Sequence, residues 1–351
     1  MSDTTLRVGL IGYGLAGSAF HAPLISTTPG LDLAAIVTAD PGRRQAAAQR
    51  YPHSRIVERA EDLWAAGDLD AVVIAAPNRT HVPLARAALE AGLAVVVDKP
   101  FAPSSADGEE LARLAAERDL LLTVYQNRRW DGDFRTVRKL VEEGAFGRVL
   151  RFESRFDRWR PVPKGGWRES GDPAEAGGLL YDLGSHLVDQ ALQLSGPAIE
   201  VYCELHTRRA GLSVDDDTFV ALRHDGDVRS HLWMNALAAA PAPRLRVLGD
   251  RGAYTKYGLD VQEDALRAGR LPGEPGWGQE PDGAFGVFTD YDGQSRTVPT
   301  LPGAYPDFYA GLAAALAGDA PAPVDVHDSI AVLKVLEAAR RSAQDREVVR
   351  L

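Results

Sequence analysis

The sequence predicts an α/β domain built on a doubly wound parallel sheet over residues 1–124, followed by an α+β domain with a mainly antiparallel sheet over 125–351. Three observations carry this. Short apolar runs alternate with helical patterns as far as residue 124, a G-x-G-x-x-G motif directly follows the first run, and the strand-like stretches after residue 197 succeed one another without helices between them. At 351 residues the chain has enough apolar material for two cores.

Five runs are apolar at nearly every position and rich in β-branched residues: LRVGLI (6–11), LDLAAIVT (31–38), DAVVIAAP (70–77), AVVVDKP (94–100) and LLLTVYQ (120–126). Strands of this kind are buried on both faces, as in a parallel sheet. Helical patterns lie between them, notably 79–92 and 105–119, the second with Ser104 or Ser105 as N-cap and early acids. The alternation implies right-handed crossovers. Beyond residue 125 a polar segment (127–144) leads into RVLRFESRFDRW (148–159), which alternates like a strand with one covered face. A Pro/Gly-rich loop (161–177) and the helix-like GGLLYDLGSHLVDQ (177–190) follow. Strand-like stretches come next at 198–207, 217–224, 227–235, 244–249 and 252–257. The stretch 268–286 reads as a long surface loop, and two helices close the chain at about 304–317 and 325–343.

The formal net charge of -10 excludes nucleic acid and anionic membranes as expected partners, because no Lys/Arg block is dense enough to reverse it locally. A small-molecule ligand is the expectation. Cys203 is the only cysteine, so no intrachain disulfide forms and a cytoplasmic location fits. The run LRVGLIGYGLAGSAF lacks a basic region before it and is not read as a signal peptide. No apolar window reaches the length that crosses a bilayer.

Gly12-Tyr13-Gly14-Leu15-Ala16-Gly17 follows a strand and opens a helix, the context that makes the motif a dinucleotide fingerprint. Its glycines allow the tight turn and close backbone approach to a pyrophosphate, and the helix N-terminus supplies free amides. An acid at the end of the second strand would hold the adenosine ribose and repel a 2′-phosphate. Thr38 stands there instead, with Arg43 and Arg44 close behind, which suits NADP better than NAD. The rival is Asp40, which would restore NAD if it reached the ribose; Asp-Pro is also a plain helix-start signal.

Lys99 leaves an apolar strand at its carboxyl end, where ligands of doubly wound sheets bind. Asp182 and His186, four residues apart, fall on one helix face, continued by Asp189 and Gln193. Taken alone that stripe reads equally well as a solvated face. Together with a nucleotide domain the set fits alcohol oxidation: His186 as base, Lys99 stabilising alkoxide charge, and Asp182 orienting the substrate hydroxyl or the histidine. No third metal ligand stands at a recognised spacing, so no metal is expected.

These residues resemble the glucose–fructose oxidoreductase/inositol dehydrogenase (Gfo/Idh/MocA) family along essentially the whole chain. The markers are Gly12–Gly17, APNRTH (76–81), Asp98-Lys99-Pro100 and Asp182-x-x-x-His186. The resemblance implies a Rossmann domain paired with an open antiparallel sheet, catalytic Lys99 and His186, and a substrate-binding or assisting Asp182. It also implies that Pro77, Asn78, His81 and Asp98 lie at the cofactor, and that the protein is a homodimer or homotetramer. The family's usual acid before the lysine is Glu; here it is Asp98. YQNRRWDGDF (125–134), LLYDLGSHLVDQ (179–190) and KYGLDVQEDALRAGRLP (256–272) look like the branch containing NADP-dependent scyllo-inositol dehydrogenases. A cyclic polyol such as scyllo-inositol is therefore the expected substrate. A dehydrogenase of an aldose or sugar derivative and a non-catalytic dinucleotide-responsive regulator are the alternatives.

The residues themselves are compatible with a polyol or sugar. Asn127, Arg128, Arg129 and Trp130 follow the last strand of the first domain, and Arg158, Arg160 and Trp167 precede the helix that bears Asp182 and His186. Donors interleaved with aromatic faces suit hydroxyls arrayed on an apolar ring.

Overall fold

Six strands form one parallel sheet: β1 (Leu6–Ile11), β2 (Leu31–Val37), β3 (Arg55–Val57), β4 (Ala71–Ile74), β5 (Ala94–Asp98) and β6 (Leu122–Tyr125). The computed structural model describes residues 5–351. The strand order, β3-β2-β1-β4-β5-β6, reverses direction between β1 and β4, where a doubly wound sheet opens its ligand crevice. Val8, Leu10, Val72, Ile74, Val95 and Val97 are fully buried, as runs apolar on both faces require. The three-residue β3 is an edge strand with no apolar run behind it, which is why the sequence pattern does not reveal it.

Nine strands form the second sheet: β7 (Val149–Asp157), β8 (Ala198–His206), β9 (Asp217–His224), β10 (Arg229–Asn235), β11 (Leu245–Gly249), β12 (Gly252–Lys256), β13 (Gly286–Asp290), β14 (Ser295–Val298) and β15 (Val349–Arg350). In spatial order they run β14-β13-β12-β11-β7-β10-β9-β8-β15. Every neighbouring pair is antiparallel except β7 with β10, so the sheet is mixed at its centre. β9 alternates between half-buried and buried along its length, so one face is covered and the other is not. Helices Gly184–Ser195 and Val326–Asp345 supply cover. β13, β14 and β15 are short and lie toward the sheet's edges; weak patterning there hides them from sequence reading.

The C-terminal helix Val326–Asp345 does not stay with the second sheet. It also packs against helix Ser105–Glu117 of the first domain, and Glu337 accepts hydrogen bonds from both the backbone N–H (2.6 Å) and the hydroxyl (2.7 Å) of Ser105. Ser104 caps the 105–117 helix through the Asp107 amide, as the sequence indicates. None of the described helices is long and apolar enough to cross a membrane.

The Gly12–Gly17 turn sets the helix that opens the crevice. A Cβ on Gly17 would collide with the Gly12 carbonyl oxygen, and Gly12 itself has φ +100° with its would-be Cβ against the Ala75 carbonyl. The helix begins with a π-turn (Ala16–His21) before continuing as Ala22–Thr27, a distortion that recurs at functional sites. Gly17→Ala is therefore expected to destabilise the protein by about 1–3 kcal/mol, the usual cost of overpacking. A denaturation midpoint equal to that of the wild type would contradict the tight-turn assignment.

Candidate active site

Two glycines and the start of a helix make the cradle at the carboxyl ends of β1 and β4. Its outer rim is lined by Tyr13, Gly14, Leu15, Ser18, Arg43 and Arg50. A Cβ on Gly14 would sit 3.7 Å from Nη1 of Arg43, so that guanidinium overhangs the turn. Thr38 is buried just past β2. Asp40 is the N-cap of helix Pro41–Arg50, accepting from the Arg43 amide at 2.8 Å, and so serves the helix start. The Arg44 guanidinium is taken by Glu58, a correction to its expected place beside the cofactor. The glycine-lined cradle, with Arg43 above it and no acid at the end of β2, fits a dinucleotide.

Lys99 emerges from the end of β5 and crosses to the second domain. Its ammonium donates to the Asp182 backbone carbonyl (2.7 Å) and to Asp182 Oδ1 (3.1 Å). In one continuous helix through 177–190 that carbonyl would also accept from the His186 amide. The segment instead breaks at Leu183 (φ −106°, ψ −36°) into Leu179–Asp182 and Gly184–Ser195, and the His186 amide bonds to Leu183 rather than to Asp182. The expectation of one unbroken i, i+4 face is corrected accordingly. Nor is most of the stripe solvated: Asp182, His186 and Asp189 are buried, and Gln193 at its end is exposed. The first turn is held by Asp215, whose carbonyl accepts from the Leu179 amide and whose carboxylate accepts from the Leu180 amide at 2.7 Å.

Lys99, Asp182 and His186 line one cavity of about 280 Å³ with Leu15 and Ala16 of the glycine turn and Asp98, Tyr125, Asn127, Arg128 and Arg158. Burial favours the protonated form of Asp182, but Lys99 and then the guanidinium of Arg168 outweigh it, holding the carboxyl well below its usual range. His186 is pushed well below its usual 6.5, first by burial and then by Lys99, Arg128, Arg244 and Arg158. It is neutral, and its Nδ1 has no hydrogen-bond partner among the described residues. Behind Lys99, Asp98 accepts from the Lys99 amide (2.8 Å), and its other oxygen lies 3.7 Å from His21 Nε2. Burial raises the Asp98 carboxyl, but His21 and Lys99 pull it lower overall.

The remaining expected residues divide. Asn127 and Arg158 face the cavity. Arg129 does not: it forks onto Asp189 (2.9 and 2.6 Å) and reaches Asp328 (3.0 Å), a structural ion pair. Trp130 also turns away, packing edge-on to Phe308 in the first domain's core. Pro77 starts the turn Asn78–Thr80. Asn78 spends its amide on the Glu175 carbonyl (2.7 Å), and both ring nitrogens of His81 lie against carbonyls, of Pro100 (2.9 Å) and Ala76 (3.0 Å). These two side chains set the loops around the cofactor cleft instead of reaching into it. Trp167 lies in the turn Trp167–Glu169, and its side chain is outside the described residues.

Sequence reasoning misses His21, Lys164, Arg168, Glu263 and Arg267, all of which line the cavity. Glu263 and Arg267 read as an ordinary i, i+4 pair, and nothing local shows that Glu263 also holds Arg128 at 2.8 Å. Lys164 and Arg168 carried a usable signal. Residues 155–168 hold five cations and a single acid in a chain of net charge -10.

A glycine-turn dinucleotide cradle meeting a lysine and a neutral histidine at a strand's carboxyl end defines a nicotinamide-dependent oxidoreductase. Residues 6–126 match the model of the oxidoreductase family with an NAD-binding Rossmann fold, and 134–255 match the Gfo/Idh/MocA C-terminal domain. The chain belongs to the Gfo/Idh/MocA family. It is 44% identical over 350 residues to the uncharacterized oxidoreductase YdgJ of Escherichia coli, covering 99% of this chain and 98% of that one. It is 33% identical over 350 residues to IolW of Bacillus subtilis, a scyllo-inositol 2-dehydrogenase (NADP(+)), covering 99% and 96%. The oxidoreductase yvaA of Bacillus subtilis superposes with a TM-score of 0.95 at 32% identity, over 100% of this chain and 99% of that one.

Two outcomes follow from these contacts. Arg129→Met strands the buried Asp189 carboxylate and is expected to lower unfolding free energy by about 3–5 kcal/mol; a loss under about 1 kcal/mol would mean the pair is dispensable. His186 resists protonation when folded and accepts it when unfolded. Stability therefore declines as pH falls from the usual 6.5 towards its lowered folded value. Urea midpoints measured across that window fall more steeply for the wild type than for His186→Gln, and parallel curves would contradict the neutral, buried histidine.

Proposed function

We propose that the protein is an NADP-preferring dehydrogenase that moves a hydride between nicotinamide and a secondary alcohol of a cyclic polyol, with scyllo-inositol as the first candidate. The observation that carries the reading is the convergence of Lys99, Asp182 and neutral His186 in a cavity that also touches the glycine turn. The bound nicotinamide supplies the hydride acceptor. His186, uncharged and buried, takes the hydroxyl proton. The Lys99 ammonium, held by Asp182, stabilises the developing alkoxide and lowers the hydroxyl pKa. Asp182 keeps the ammonium aimed, and Asn127 lines the cavity beside them.

Arg43 over the glycine turn, with Asp40 engaged as a helix cap, supports NADP over NAD. The scyllo-inositol reading draws support from the named activity of IolW at 33% identity. A cytoplasmic homo-oligomer completes it, supported by one buried free cysteine and by half-buried Phe219 and Trp233 on the uncovered sheet face.

Lys99→Met and His186→Ala are each expected to lower kcat by roughly a hundredfold or more, and near-normal turnover in either would remove its assigned role. Arg43→Ala is expected to weaken NADP at least about tenfold more than NAD, as loss of a charge-assisted phosphate contact requires. Equal weakening of both cofactors would overturn the 2′-phosphate assignment.

A further inference from the structure

The substrate cavity continues into a second chamber of about 220 Å³ lined by residues of the second domain alone, from Arg158 to Ala236. Arg158, Arg160 and Lys164 line both chambers. The acids around them are already engaged. Asp182 holds Lys99 and Arg168, Glu263 holds Arg128 and Arg267, and Glu169 holds Arg209. Asp215 is taken by Thr218 and the Leu180 amide, and Asp98 by the Lys99 amide. Among the described residues, the side chains of Arg158, Arg160 and Lys164 form no ion pair and no hydrogen bond. In a chain of net charge -10, three unmatched cations share one cavity wall.

Arg160 and Lys164 are exposed at the cavity rim, and Arg158 lies deeper. Arg158 is half-buried, with its guanidinium carbon 5.6 Å from the Phe156 ring centre. Arg128 and Arg244 sit over the same ring at 4.8 and 4.5 Å, so three guanidinium groups converge on it. Burial and then the like charge of Arg160 push Arg158 down to about 10. A neutral polyol leaves that repulsion in place, whereas an anion relieves it and gains charge-assisted hydrogen bonds. The second chamber contains no residue of the first domain, so a ligand group seated there lies away from the glycine turn.

We infer that the substrate carries an oxyanion group, a carboxylate or a phosphate, held by Arg158, Arg160 and Lys164 at the end remote from the reacting hydroxyl. The inference rests on the dehydrogenase reading for which end of the ligand reacts, and replaces the neutral polyol of that reading with an anionic derivative. An anion seated there also partly cancels the positive field that holds His186 so weakly basic, so binding the correct substrate strengthens the base that acts on it.

Titration calorimetry on the full chain saturated with NADP, at constant ionic strength, tests this with four probes. Glucuronate is compared with glucose, and inositol monophosphate with scyllo-inositol. At least one anion is expected to bind about tenfold more tightly than its neutral counterpart, from one or two charge-assisted bonds. Whichever pair shows the gain identifies carboxylate or phosphate. The gain disappears in the double variant Arg160→Met, Lys164→Met, at two exposed positions that leave the fold intact, while NADP affinity stays within about twofold. Equal binding of anionic and neutral probes overturns the inference, as does a double variant that loses NADP and anion together. NADPH formation is read in parallel. An anion gain without turnover of any probe keeps the site and removes the cyclic-polyol reading; turnover of scyllo-inositol without an anion gain does the reverse.

Discussion

The site depends on one contact between domains, the Lys99 ammonium on the carbonyl and carboxylate of Asp182. Each side needs the other. Lys99 sits at the end of an apolar strand, where an unpaired charge is costly. Asp182 is buried, which favours its neutral form, and Lys99 is the first of the cations that keep it ionised. The helix break at Leu183 frees the carbonyl from the His186 amide, and Asp215 satisfies the Leu179 and Leu180 amides at the helix start. His186 is kept from protonation first by burial and then by four cations, of which Lys99 is the first.

Much of this was legible in the sequence, for physical reasons that differ by element. The parallel strands were legible because burial on both faces leaves a continuous apolar run, and the glycine turn because sterics leave little alternative to glycine at 12 and 17. The α+β character of the second domain was legible from successive strands without helices. The parallel pairing of β7 with β10 was not, because periodicity fixes a strand's faces but not its neighbours. Short edge strands such as β3 and β14 left no pattern to find.

At the site, Lys99, Asp182 and His186 share one cavity with the glycine turn, where the chemistry wanted them. Arg129 and Trp130 misled because their chain position, just after β6, is one at which side chains point either to the cleft or to the core. Asp189 decided the first and Phe308 the second, and both partners are remote in sequence. Likewise the break at Leu183 is invisible to helical periodicity, since neither glycine nor proline stands at that position.

The C-terminal helix has a consequence for how the chain is made. Thr123 in β6 donates its hydroxyl to the carbonyl of Val324 at 2.7 Å, and Ser105 binds Glu337, so the nucleotide domain takes part of its outer layer from the far end of the chain. During synthesis the first domain emerges complete in sequence yet lacks the helix that covers this side. Its apolar surface there stays bare until the second domain has followed. The two units therefore finish folding together, and a truncated chain ending after β6 would carry an exposed, aggregation-prone face.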